Sequence, residues 1–191
     1  ERARFAFFWA CGSGKTIAMY AICDAVRLKT VVLAPKSILY SAWARDGEHF
    51  PDLRVAVLNA KTRDRKALAL GGEWDMLITN YEMFKRHGAD LVTAGVRRLI
   101  VDESSKIKSP DSAITRHVWA FADKMQSVYL LSGTPAPNNG TEYYGQLRAL
   151  GPHVAGRSFY GFEAAYFHRI TNKIRVKGGM TRTVTVGHNQ S

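Results

Sequence analysis

Gly12-Ser13-Gly14-Lys15-Thr16 and Asp102-Glu103 are the residues of this 191-residue chain whose types and spacing can do chemistry. The first group has what a polyphosphate needs. Gly12 and Gly14 permit tight turns that present bare N–H groups to phosphate oxygens. Lys15 adds a point charge suited to β- and γ-phosphates, and the Thr16 hydroxyl can ligate Mg²⁺. The second group supplies hard oxygen atoms. Asp102 suits a Mg²⁺ ligand, direct or through water, and Glu103 suits the general base that orients and polarises an attacking water. A phosphate cradle followed downstream by an acidic pair is the residue set of a Mg-nucleotide triphosphatase, with Lys15, Asp102 and Glu103 as its catalytic members. Each half also has an ordinary alternative: a Gly-Lys-Thr turn without a ligand, or two acids that open a solvated loop.

Those residues need particular elements to hold them. Phe5-Ala6-Phe7-Phe8-Trp9 is an aromatic-rich apolar run of strand length, and Ile17 to Ile22 continues with helical spacing. Strand, glycine loop and helix are the context that a phosphate-binding loop requires. Leu99-Ile100-Val101 reads as a buried strand, with Asp102 and Glu103 just past its carboxyl end, where open parallel sheets bind ligands. Thr30 to Ala34 is a further strand, stopped by Pro35, with Lys36-Ser37 opening a helix through Trp43. Trp74 to Thr79 and Val128 to Leu131 are strands too, and Glu142 to Leu150 reads as a helix. Strands alternating with helices predict an α/β fold: a mostly parallel sheet covered on both faces.

With the segments in order, the chain resembles the first RecA-like lobe of a Swi/Snf-type ATPase, within the superfamily-two helicases, and is similar to compact bacterial and phage members. Residues 9–16 resemble motif I, although Trp9 replaces the first glycine of the full phosphate-loop pattern. Val32 to Ser37, with Trp43 behind it, resembles motif Ia, and Ile78-Thr79-Asn80-Tyr81-Glu82 resembles motif Ib. Residues 101–110 resemble motif II, and Leu131-Ser132-Gly133-Thr134-Pro135 with Asn138-Asn139 resembles motif III. The match covers about residues 5 to 150. Ser105 stands where many relatives carry His or Asp to couple motif II to motif III. Ala10 and Cys11 replace a more usual acid and Met.

The resemblance implies a DNA-dependent ATPase that binds ATP and Mg²⁺ and tracks along double-stranded DNA. It implies Lys36, Ser37, Thr79 and Asn80 as contacts to backbone phosphates, and Ser132, Gly133 and Thr134 as coupling residues. It divides the chain into a nucleotide lobe over 1–150, without its upstream adenine-reading motif, and a helical and hairpin extension over 151–191 leading toward a second RecA-like lobe. That second lobe would carry an arginine finger, so the isolated chain is expected to hydrolyse ATP poorly. The implied setting is the cytoplasm of a bacterial or phage-infected cell. Alternatives are an RNA helicase lobe, a restriction-enzyme motor lobe, and a nucleic-acid-binding module with a silent site.

Composition fits these expectations. Twenty-seven Lys and Arg against sixteen Asp and Glu give a formal charge of +11, which suits a polyanionic partner. With 46% hydrophobic residues and no long apolar run, the pattern excludes a membrane-spanning helix and predicts no membrane partner. Cys11 and Cys23 lack metal-ligand spacing and read as reduced thiols. Phe159, Phe162, Tyr166 and Phe167 recur at helical spacing, as a core-facing stripe would. Alternation around Gly178-Gly179 predicts a β-hairpin with Lys173, Arg175, Lys177 and Arg182 on its polar face.

Overall fold

In the computed structural model, residues 3–175 and 181–190 are described, with side chains described to residue 168. Six strands form one sheet: β1 (Arg4–Phe7), β2 (Thr30–Leu33), β3 (Val55–Leu58), β4 (Met76–Thr79), β5 (Arg98–Val101) and β6 (Ser127–Leu131). Their spatial order is β1-β6-β5-β2-β4-β3, and every adjacent pair is parallel. The helices are α1 (Lys15–Ala25), α2 (Arg45–Gly47), α3 (Arg65–Gly71), α4 (Tyr81–Thr93), α5 (Ala113–Ala122), α6 (Tyr143–Ala149), α7 (Pro152–Ala155) and α8 (Phe159–Tyr166).

The strands are apolar on both faces because both faces are covered, as all-parallel sheets require. Alternate side chains serve opposite layers. Val31, Leu33, Leu99, Val101, Val128 and Leu130 join Phe84 and Leu91 of α4 and Val118 and Phe121 of α5. Val32, Ile78, Ile100 and Leu131 join Met19 and Tyr20 of α1, with Leu39 and Trp43, on the other side. A one-residue slip of any central strand would exchange these layers, so the register is fixed by packing on both sides.

The segment after β2 departs from expectation. In place of one helix through Trp43, Lys36–Ile38 is a 3-10 turn, Leu39–Ala44 is a π-helix, and α2 follows. A π turn widens the helix by one residue and re-aims the side chains after it. Trp43 is fully buried and is the residue whose direction matters, as the site geometry makes plain. β1 is also shorter than the apolar run that predicts it, because Phe8 and Trp9 leave the sheet to begin the glycine loop.

Past the sheet, Phe162 of α8 is buried against Tyr144 and Ala155, as the aromatic stripe predicts. Tyr166 is exposed, and Phe167 begins a strand instead of prolonging the helix. β7 (Phe167–Arg175) and β8 (Thr181–Gln190) pair antiparallel, with a register shift between Ile170 and Thr171. The Gly178-Gly179 turn lies outside the described residues, and so do the side chains of the expected basic face. Among the described residues, no helix is long and apolar enough to cross a membrane.

Candidate nucleotide site

The sheet order brings the two chemical groups together. β6 lies between β1 and β5, so the loop leaving β1 and the acidic pair leaving β5 stand two strand spacings apart, roughly 10 Å, at the same carboxyl edge. The loop leaving β6 carries Ser132-Gly133-Thr134 between them. Ser132 N–H donates to the Phe7 carbonyl at 3.3 Å, and Asp102 N–H to the Leu33 carbonyl at 2.8 Å, so each motif is rooted in the strand beside it.

The phosphate loop has the expected backbone. Gly12 and Gly14 take φ of 76° and 80°, in the left-handed region that favours glycine. Gly14 is the N-cap of α1, leaving the helix's first N–H groups facing the loop mouth. The Lys15 ammonium lies across that mouth, donating to the carbonyls of Trp9 and Ala10 at 2.8 Å each. Cys11 is exposed, and its sulfur lies against Gly133, where an added Cβ would stand only 2.7 Å away. Phosphate loop and third motif are thus in contact through a thiol and a residue without a side chain.

Asp102 is 8% exposed. One carboxylate oxygen accepts the Trp43 indole N–H at 2.7 Å, and the other accepts Glu103 N–H at 2.9 Å. Burial pushes the Asp102 pKa up; the indole and backbone donors and the Lys15 charge oppose that rise without cancelling it. The Tyr81 hydroxyl donates to the Asp102 carbonyl at 2.5 Å. Burial, with the two neighbouring carboxylates, raises the Tyr81 phenol well above its ordinary range, so it stays a donor. Glu103 has φ 50° and ψ 54° and is the sole non-glycine residue at positive φ among the described residues. Strain of that type, held by bonds on both sides, gathers at functional sites.

Asp102 and the Thr16 hydroxyl are hard oxygen donors, and among the described residues no group of three or more acids, His or Cys could hold a metal. That donor set fits Mg²⁺, which keeps most of its shell as water and phosphate oxygen.

Motif II reaches the third-motif loop by a different residue than the sequence suggests. Ser104, fully buried, donates to Gln146 Oε1 at 2.7 Å; Gln146 Nε2 donates to the Pro135 carbonyl at 2.5 Å. The bond comes from the residue before Ser105, which stands at the position where many relatives carry His or Asp; Ser104 opens the 3-10 turn Ser104–Ile107. Sequence patterning alone does not single out Gln146. A lone polar residue on the apolar side of α6 was the available signal. Lys108 and Glu142 add an ion pair at 2.7 Å beside it. Burial pulls the Glu142 carboxyl up, but Lys108 and Asn138 outweigh it, leaving it below the ordinary range.

The four expected nucleic-acid residues separate. Lys36 and Ser37 are exposed. Thr79 is fully buried and spends its hydroxyl on the Leu58 carbonyl at 2.9 Å, while the Asn80 side-chain oxygen caps α4 through Glu82 and Met83 N–H at 3.0 Å. Thr79 and Asn80 are thus both buried and engaged within the chain, and Lys36 and Ser37 are the exposed pair. Asn80 lines a pocket of about 290 Å³ with Lys36, Tyr81, Glu82 and Lys106.

This geometry agrees with the comparisons. A family model described as the SNF2-related domain matches residues 6–179. The chain belongs to the SNF2-related domain family. It is 33% identical over 129 residues to the human SWI/SNF-related matrix-associated actin-dependent regulator of chromatin subfamily A member 1, covering 65% of this chain and 12% of that protein. It is 30% identical over 158 residues to the ISWI chromatin-remodeling complex ATPase ISW2 of Saccharomyces cerevisiae, covering 77% and 14%. Among solved structures, the Sulfolobus solfataricus SWI2/SNF2 ATPase core in complex with dsDNA aligns with a TM-score of 0.68 at 25% identity, over 84% of this chain and 34% of that one. The chain thus spans about an eighth of the curated relatives' length. These relatives also correct the expected setting: they are eukaryotic chromatin remodellers, so a bacterial or phage-infected cytoplasm is not supported.

Proposed function

We propose that this SNF2-related domain is the nucleotide-binding lobe of a DNA-dependent ATPase that couples ATP hydrolysis to movement on double-stranded DNA. The observation that carries the reading is the convergence of phosphate loop, acidic pair and third-motif loop on the ends of three adjacent strands. Lys15 and the N–H groups of residues 12–16 would hold the β- and γ-phosphates; Thr16 and Asp102 would hold Mg²⁺. The ion, when bound, neutralises charge on the phosphates. Glu103 would orient the attacking water, its strained backbone fixing the direction of the carboxylate. Ser132, Gly133 and Thr134 would relay the state of the nucleotide. Lys36, Ser37 and the amide of Asn80 would meet backbone phosphates, which position a duplex without reading its sequence.

Residues 1–150 form the lobe in this reading, and 151–191 lead toward a second RecA-like lobe whose arginine finger would raise turnover by about 10³–10⁵. Steady-state ATP hydrolysis by the full-length protein tests it, with duplex DNA, single-stranded DNA or RNA added. Duplex stimulation that Lys15→Ala abolishes, with duplex binding retained, supports the proposal. Stimulation by RNA alone would move the lobe to an RNA motor. Duplex binding without turnover would leave a binding module.

A further inference from the structure

Two donors hold Asp102 from outside its own loop, and they come from different strands. Trp43 ends the segment that begins with exposed Lys36-Ser37 after β2; its indole N–H reaches the carboxylate at 2.7 Å. Tyr81 is the first residue of α4, between Asn80 and Glu82 after β4; its hydroxyl reaches the Asp102 carbonyl at 2.5 Å. Lys36 and Glu82 are themselves joined at 2.6 Å, across the mouth of the pocket that Asn80 and Tyr81 line. The two segments therefore share one surface contact outside and one carboxylate inside.

We infer that Trp43 and Tyr81 are positioning residues that transmit the seating of a nucleic-acid backbone on Lys36 and its neighbours to the metal-binding carboxylate of Asp102. The inference rests on the duplex-binding reading above. A phosphate arriving at Lys36 competes with Glu82 for the same ammonium. Releasing that pair removes the side-chain tie between Lys36 and the start of α4. The segment is a 3-10 turn leading into a π-helix, forms that recur at hinges and functional sites. Trp43 is the segment's link to the site: its ring packs beside Tyr20, and its indole N–H is held by the Asp102 carboxylate. Displacement of the segment is thus passed to the indole and to the carboxylate it holds. Tyr81 fixes the backbone of the same aspartate, so the two donors together set where the carboxylate points.

The test uses the full-length protein and a non-hydrolysable ATP analogue, with Mg²⁺ titrated in the presence and absence of duplex DNA. Duplex should lower the Mg²⁺ concentration needed for half-maximal analogue binding in the wild type, by on the order of tenfold, a usual size for linked sites. Trp43→Phe keeps a ring and removes the N–H; Tyr81→Phe removes only the hydroxyl. Each is expected to lose most of that shift while binding duplex within about twofold of wild type. A purely structural role would change melting temperature and leave the duplex-dependent shift in place. Tyr81→Phe, the smaller change, carries the test if Trp43→Phe does not fold. Variants that respond to duplex as the wild type does overturn the inference alone. A wild type whose analogue binding ignores duplex overturns it together with the reading beneath it.

Discussion

Asp102 is held out of water by its neighbours, and the cost of that burial shows in its raised pKa. A carboxylate whose folded pKa lies above its unfolded value favours folding as the neutral acid. That contribution is complete below the ordinary Asp range and is lost as pH rises through the folded pKa. Asp102→Asn removes the charge and keeps one acceptor, for the Trp43 indole, while its NH2 faces Glu103 N–H and gives up that bond. We predict that it raises Tm near pH 8 by about 2–4 °C, with the advantage shrinking toward about pH 4, and that it abolishes turnover. Thermal unfolding across that pH range checks it; a variant less stable at every pH would show that the two N–H bonds outweigh the burial. The residue types at 12–16 and 102–103 were legible because each has few other uses in that order and context. Trp43 and Tyr81 were legible only as parts of the resembled motifs Ia and Ib, without their bonds to Asp102, and Gln146 not at all, because such residues inside apolar segments look like packing until their partners are known.

At the scale of elements, α6 is what joins the acidic motif to the third-motif loop. Its Gly145 lies so close to the 3-10 turn after Asp102 that a methyl group there would overlap the carbonyl oxygens of Ile107 and Lys108. Trp119 Nε1 donates to the Gly145 carbonyl at 2.7 Å from the α5 side. Gly145→Ala must therefore push α6 away from that turn and pull Gln146 from Ser104. We expect a destabilisation of roughly 1–3 kcal/mol, measured by urea unfolding, together with loss of stimulated hydrolysis. Equal stability would mean that the helix moves without cost. The strands were readable from their apolar runs, and their parallel pairing from the alternation with helices. The π-helix was not, since Lys36 to Trp43 has ordinary helical spacing, and the bond from Trp43 to Asp102 that accompanies the wider turn is made across 59 residues of sequence.

For the whole molecule, the net charge of +11 attracts polyanions without selecting among them. Specific seating should stand out against that background through salt dependence. Each phosphate neutralised adds about 0.9 to the slope of log affinity against log salt. Lys36→Ala is predicted to lower the slope for duplex binding by about 1, as loss of a single phosphate contact does. Anisotropy titrations over a range of salt read it out, and an unchanged slope would remove Lys36 from the interface. The family was legible from motif order. The cellular setting was not, because the lobe's residues answer to phosphate and sheet packing, which are the same in any cell.

The place of β6 in the sheet also has a consequence for synthesis. β1 and β5 share no hydrogen bonds with each other; each pairs with β6, the last of the six strands to be made. A nascent chain that has reached residue 126 holds both the glycine loop and the acidic pair, but β1 has no neighbour to dock on. Closing that gap joins residues more than a hundred positions apart, Phe7 with Leu131, a slow class of contact. Ribosome-stalled chains ending before Ser127 should leave β1 open to protease, whereas chains long enough to expose β6 and α6 outside the ribosome should protect it. The proposed nucleotide site is then completed in one step, when β6 inserts.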